Sequence, residues 1–85
     1  MSGPRSRRVI ELDADARASL ERVTRRTTES VGLVRRVRIV LLVADGLPLD
    51  QVARAVGVRP NVVRTWADRY RAGGLAALRA DGSAR

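Results

Sequence analysis

Cysteine and histidine are both missing from this 85-residue chain. Without cysteine there is no disulfide framework and no thiol chemistry. Without histidine the chain lacks the usual general base and the commonest metal ligand. The carboxylates form no ligand-like cluster, and Asp13 and Asp15 fit the start of a helix better than a metal site. We therefore expect no metal, no cofactor, no small-molecule substrate and no enzymatic activity.

The chain also lacks a long apolar run. The longest one, residues 39–44, is far too short to span a bilayer. No apolar stretch of signal-peptide length follows Met1. We therefore expect one small soluble domain without a membrane partner, located in the cytoplasm and associated with the nucleoid.

Lysine is absent, and the aromatic residues are only Trp66 and Tyr70. The core must therefore consist mostly of Val, Leu, Ile and Ala. All 17 basic residues are arginines against 9 acidic residues, which gives a net charge of +8. A GC-rich genome would explain arginine in place of lysine, but it would not explain the excess over acidic residues. Because arginine pairs well with phosphate oxygens and guanine edges, this charge predicts a polyanionic partner, most commonly nucleic acid.

The spacing of apolar residues predicts an all-α fold, a small domain of about four helices. The predicted helices run from about Ala14 to Thr27, Val31 to Ala44, Leu49 to Val56 and Pro60 to Arg71. Asp13 and Ser30 are the candidate N-caps of the first two helices, and Gly73 with Gly74 ends the fourth. Residues 37–43 are rich in β-branched side chains, so a strand is the alternative for that stretch.

Residues 49–68 fit the spacing of a helix-turn-helix. Ala53 supplies the small residue that two steeply crossing helices need at their contact. Gly57 lies four positions later, where the turn needs a residue that tolerates positive φ. Val63 and Trp66, three residues apart, give the second helix an apolar face toward the first. These spaced constraints favour a helix-turn-helix over a generic helical hairpin.

The opposite face of the last helix is the predicted DNA reader, because the N-terminal part of such a helix meets base edges in the major groove. The candidate base-contacting residues are Asn61, Val62, Arg64 and Thr65. Arg64 suits a guanine and Asn61 an adenine, while Val62 and the Thr65 methyl group suit thymine methyl groups. For each of them, a solvated surface side chain is the alternative.

Arginines that flank this face are the candidate contacts to the DNA backbone, which set the position of the protein on the duplex. They are Arg59, Arg69 and Arg71, together with Arg5, Arg7 and Arg8. Tyr70 fits a phosphate contact and a cap on the core equally well.

We expect three parts along the chain: a flexible basic arm at residues 1–10, a helix-turn-helix domain at 11–78 and a flexible tail at 79–85. Basic arms of this kind reach into a minor groove, although an incidentally charged disordered terminus is the alternative. Positive charge also gathers at the junction of the first two helices, where residues 22–38 carry six arginines against Glu29.

From Val37 to Leu78 the order of features resembles the N-terminal DNA-binding region of transposases of the IS630 and Tc1/mariner type, with its homeodomain-like or paired-like fold. The matching stretches are 36–42, 45–47, 52–54, 56–58, 60–66 and 69–75. The resemblance implies a region that recognises the ends of a mobile element. Two differences are that these 85 residues contain no DDE nuclease domain and that Pro48 and Arg59 stand where the family usually has Ser or Thr caps.

The predicted function is sequence-specific binding of double-stranded DNA, as a transcriptional regulator or a reader of transposon ends. A homodimer on a palindromic site is a possible partner arrangement, because one helix-turn-helix buries little surface. The alternative is a protein-interaction adaptor that keeps the fold without reading DNA, which the arginines of the reading helix disfavour. RNA binding is disfavoured by the scarcity of aromatics. Membrane binding is disfavoured because the apolar face of the second helix is needed for the core.

Overall fold

Four α-helices make up the structure, a computed structural model that describes residues 10–79. They are α1 (Ala14–Arg25), α2 (Val31–Ala44), α3 (Leu49–Val56) and α4 (Pro60–Arg79). Between residues 10 and 79 there is no β-strand, so the all-α prediction is confirmed and the strand alternative for residues 37–43 is wrong. Val37, Val40 and Val43 recur at helical spacing and are all buried, so their burial outweighs the β-branched preference of this stretch.

The first two helices begin at the caps that the sequence predicts. The Asp13 carboxylate accepts the Ala16 N–H at 2.7 Å, and the Ser30 hydroxyl oxygen accepts the Leu33 N–H at 3.1 Å. The end of α1 comes earlier than the predicted Thr27, because the backbone at Arg26 is already extended while its N–H bonds to the Val23 carbonyl.

A single apolar core joins the four helices, with α2 packed against each of the other three. Among the described residues no polar or charged side chain is fully buried. The core consists of Ile10, Leu20, Val23, Leu33, Val37, Ile39, Val40, Val43, Val52, Ala53, Val63, Ala67 and Leu78. Ile10, which the sequence analysis assigned to the arm, therefore lies in the core, while Arg5, Arg7 and Arg8 lie outside the described residues.

The predicted end of the fourth helix at Gly73 and Gly74 is confirmed, because Gly74 adopts a non-helical conformation, at φ 69° and ψ −157°. What the sequence does not predict is the second helical segment that follows this kink and extends α4 to Arg79. This segment is held by Leu78, whose side chain has no exposed surface. The glycine pair therefore changes the direction of the helix and returns an apolar residue to the core.

Arg36 connects α2 to both parts of α4. Its guanidinium donates a hydrogen bond to the Leu78 carbonyl at 2.9 Å, and its central carbon lies 4.5 Å from the centre of the Trp66 ring. Arg79 adds an ion pair with Glu29 at 3.3 Å, between the end of α4 and the loop that joins α1 to α2. These contacts hold the segment after Gly74 against the helix that precedes the helix-turn-helix.

Candidate nucleic-acid interface

The helix-turn-helix is formed by α3, a three-residue turn at 57–59 and α4. Gly57 ends α3 in the left-handed conformation, at φ 86°, which a side-chain-bearing residue rarely adopts. Its N–H and that of Val58 both bond to the Ala53 carbonyl, at 2.8 and 2.9 Å. This geometry is what the sequence spacing requires of Gly57, and it fixes the angle at which α4 leaves the turn.

The inner face of α4 packs against α2 and α3. Val63 and Ala67 have no exposed surface, and Ala53 on α3 is buried beside them. Trp66, expected in the core, lies half-buried at its edge, where Arg36 and Arg69 stack against the ring at 4.5 and 4.9 Å from its centre. The indole ring therefore contacts two guanidinium groups and contributes to packing.

The outer face of the first turns of α4 carries the candidate base-contacting residues. Asn61, Arg64 and Thr65 are exposed, whereas Val62 is half-buried and packs against the core. The Thr65 hydroxyl donates to the Asn61 carbonyl at 3.0 Å, so the methyl group is the part of this side chain available for an apolar contact. The structure therefore brings Asn61, Arg64 and Thr65 together on one open surface and leaves Val62 only partly accessible.

The candidate backbone contacts lie around that surface. Arg59, Arg69 and Arg71 are all exposed, and Arg69 is held against the Trp66 ring. Among the described residues Arg59, Arg64 and Arg71 have no ion-pair partner. Their charges are thus available to an external anion.

Tyr70 lies half-buried one turn after Trp66 and packs against the core. Together with Ile10, Glu11 and Arg71 it lines a shallow open pocket. Burial, and next the nearby Asp13 carboxylate, raise the pKa of its phenol above the ordinary value of 10.0. The phenol is therefore a neutral hydrogen-bond donor at physiological pH.

Arg36 is the residue whose role sequence reasoning missed. Arg36 is one of the six arginines of residues 22–38, and it lies three residues after Leu33 and four before Val40, both of which are buried. Residues at these spacings share a helix face. That spacing was the available signal that Arg36 faces the core and α4 rather than solvent.

No group of three acidic side chains that could hold a metal ion occurs among residues 10–79. Over the same residues no helix is long and apolar enough to cross a membrane.

Comparison with known proteins gives one match. Residues 36–85, more than half of the chain, match the family described as "Winged helix-turn helix". No curated protein and no solved structure matches the chain significantly. The match begins inside α2 and includes α3, the turn and all of α4, so the helix-turn-helix lies within it, and α1 precedes it.

Proposed function

The chain belongs to the winged helix-turn-helix family, and from this premise we propose that it binds double-stranded DNA sequence-specifically through α4. The observation that carries the proposal is the division of α4 into two faces. Val63 and Ala67 are fully buried, while Asn61, Arg64 and Thr65 are exposed on the opposite side. A helix anchored in this way presents its polar N-terminal turns to the major groove.

In the proposed complex Arg64 reads a guanine and Asn61 an adenine, the Thr65 methyl group contacts a thymine, and the accessible part of Val62 adds apolar contact. Arg59, Arg69 and Arg71 bind phosphates and set the position of α4. Arg5, Arg7 and Arg8 extend the contact to the adjacent minor groove, a role that rests on sequence alone.

The biological role we propose is that of a transcriptional regulator or a reader of transposon ends, the latter because of the resemblance to transposases of the IS630 and Tc1/mariner type. A single helix-turn-helix buries only about 600–1,000 Å² of protein surface on DNA. We therefore include in the proposal a homodimer on a two-fold symmetric site. Light scattering of the complex with a selected duplex tests this part, and a mass that corresponds to one chain per duplex contradicts it.

Site selection from a random duplex library, followed by fluorescence anisotropy on the selected and a scrambled 30-base-pair duplex, tests the function. We expect tighter binding of the selected duplex and a steep loss of affinity with salt for both, because phosphate contacts release counterions. Equal affinity for both duplexes contradicts sequence reading. Absence of binding even at low salt contradicts the whole proposal and favours the adaptor that keeps the fold without reading DNA.

Arg59→Ser is expected to stabilise the fold and weaken DNA binding. The Arg59 carbonyl accepts the N–H groups of Val62 and Val63 at 2.9 and 3.3 Å, but a guanidinium cannot accept a hydrogen bond as a cap does. Serine supplies the cap and removes a positive charge from the helix start, which together raise the free energy of unfolding by about 1 kcal/mol and Tm by roughly 4–8 °C.

The affinity of the same variant for DNA is expected to fall several-fold, with a salt slope lower by about one. Arg54→Ser is the matched control, because it removes one exposed arginine from α3 without adding a cap. We expect no gain in Tm from it. A higher Tm of Arg59→Ser with unchanged DNA affinity would show that Arg59 makes no phosphate contact.

A further inference from the structure

A second basic surface lies on α1 and α2, outside the helix-turn-helix. Arg36 marks the side that faces α4, because it contacts both Trp66 and Leu78. At 3.6 residues per turn, Arg38 lies about 200° farther around the helix axis, and Arg35 lies about 60° from Arg38. Both Arg35 and Arg38 are exposed, so they form a face of α2 that the helix-turn-helix does not cover.

The last turn of α1 adds two more exposed arginines, Arg22 and Arg25. Because only residues 26–30 connect the two helices, the end of α1 lies at the same end of the helical pair as the start of α2. We call Arg22, Arg25, Arg35 and Arg38 together the α1–α2 basic surface. Three of its four arginines precede the segment that matches the family, which begins at residue 36.

The carboxylates nearest to this surface along the chain are already engaged. Glu29 pairs with Arg79 at 3.3 Å and lies 4.0 Å from Arg26. Glu21 lies 3.7 Å from Arg17, on the first half of α1. None of the four arginines of the α1–α2 basic surface forms an ion pair with a described residue. Their positive charge is left for an anion outside the chain.

We propose that the α1–α2 basic surface binds the phosphate backbone of a second DNA segment, so that one chain holds two duplexes at once. The inference rests on the proposed function, since α4 holds the first duplex. The surface consists of four exposed arginines on two helices that pack against each other, which favours an extended polyanion over a small anion. Its charged side chains are arginines, which bind phosphates bidentately, and it has no aromatic side chain for stacking on bases. Binding of the second duplex is therefore independent of sequence.

The experiment uses the full chain with two populations of 20-base-pair duplex, one carrying a donor and the other an acceptor fluorophore. Energy transfer between them reports two duplexes on one protein particle. We expect transfer with the native chain and its loss in R35A/R38A, whose affinity for a second duplex falls at least about tenfold. The affinity of that variant for a selected duplex, measured by anisotropy, stays within about threefold of native, because Arg35 and Arg38 lie on α2, outside the face of α4 that binds the selected duplex.

The matched control is R64A/R71A, which also removes two exposed arginines but takes them from α4. It is expected to lose the preference for the selected duplex and still to bind duplex through α2. Circular dichroism melts verify that both double variants remain folded. Energy transfer that persists in R35A/R38A overturns the inference, because it shows bridging by the α4 helices of two copies.

Three further results are distinguishable from one another. A native chain that binds its selected duplex without any energy transfer overturns the second surface and leaves the proposed function standing. A native chain that binds no duplex overturns both. The chain could instead bind phosphatidylglycerol vesicles through Arg35 and Arg38 and show no energy transfer between duplexes. That result assigns the surface to a membrane and overturns the proposed binding of a second duplex.

Discussion

Leu78→Ala is expected to lower the free energy of unfolding by about 3 kcal/mol and Tm by more than about 10 °C. The Leu78 side chain has no exposed surface, so its truncation loses transfer free energy and leaves a cavity in the core. Small domains have a total stability on the order of 5–15 kcal/mol, so this single change removes a large part of it. Urea unfolding followed by circular dichroism measures the change.

Ala76→Ser is the control for Leu78→Ala, because Ala76 is exposed two residues earlier in the same final segment of α4. Its effect on the free energy of unfolding is expected to stay within about 0.5 kcal/mol. If Leu78→Ala were as stable as the native chain, the segment after Gly74 would not be part of the cooperative core.

Local chemistry explains why much of this fold follows from the sequence. Asp13 and Ser30 cap their helices through side chains that reach an N–H three residues away, so a short window of sequence contains both partners. Gly57 is required by a turn whose hydrogen bonds reach back only four and five residues, to Ala53. The arrangement of α3, turn and α4 is therefore encoded within about twenty residues.

The features that sequence reasoning missed are contacts between distant residues. The glycine pair interrupts α4 as the sequence predicts, but only the packing of Leu78 into the core shows that a second helical segment follows Gly74. The Arg36 guanidinium donates a hydrogen bond to a carbonyl 42 residues away, and no local sequence pattern predicts that partner. The helical wheel reveals that Arg36 faces inward, but the identity of the groups it meets requires the tertiary structure.

The candidate site also has features that local sequence predicts and features that depend on contacts between distant residues. Which face of α4 is exposed follows from periodicity, because Val63 and Ala67 must face the core. How accessible each side chain is to DNA does not follow from the periodicity of α4. Val62 is half-buried and Arg69 is stacked on Trp66, and both are contacts that the periodicity does not predict. Arg64 is the candidate in which exposure, charge and position in the first turns of α4 all agree.

Arg64→Ala is accordingly expected to lower the affinity for the selected duplex by about 10–100-fold, the loss of one bidentate guanine contact of about 1–3 kcal/mol. Arg64 is exposed and has no ion-pair partner among the described residues, so its removal should leave Tm nearly unchanged. Anisotropy on the selected duplex and on duplexes with each base pair replaced in turn measures both the loss and the position at which preference is relaxed.

Arg71→Ala is the matched comparison on the same helix, because Arg71 is exposed and lies two turns farther from the N-terminus of α4. A phosphate contact carries no sequence information, so its loss should weaken binding to all duplexes alike and reduce the salt slope by about one. If Arg64→Ala also weakened all duplexes equally, with the base preference intact, Arg64 would be a phosphate contact. Sequence reading by α4 would then have to rest on Asn61 and Thr65.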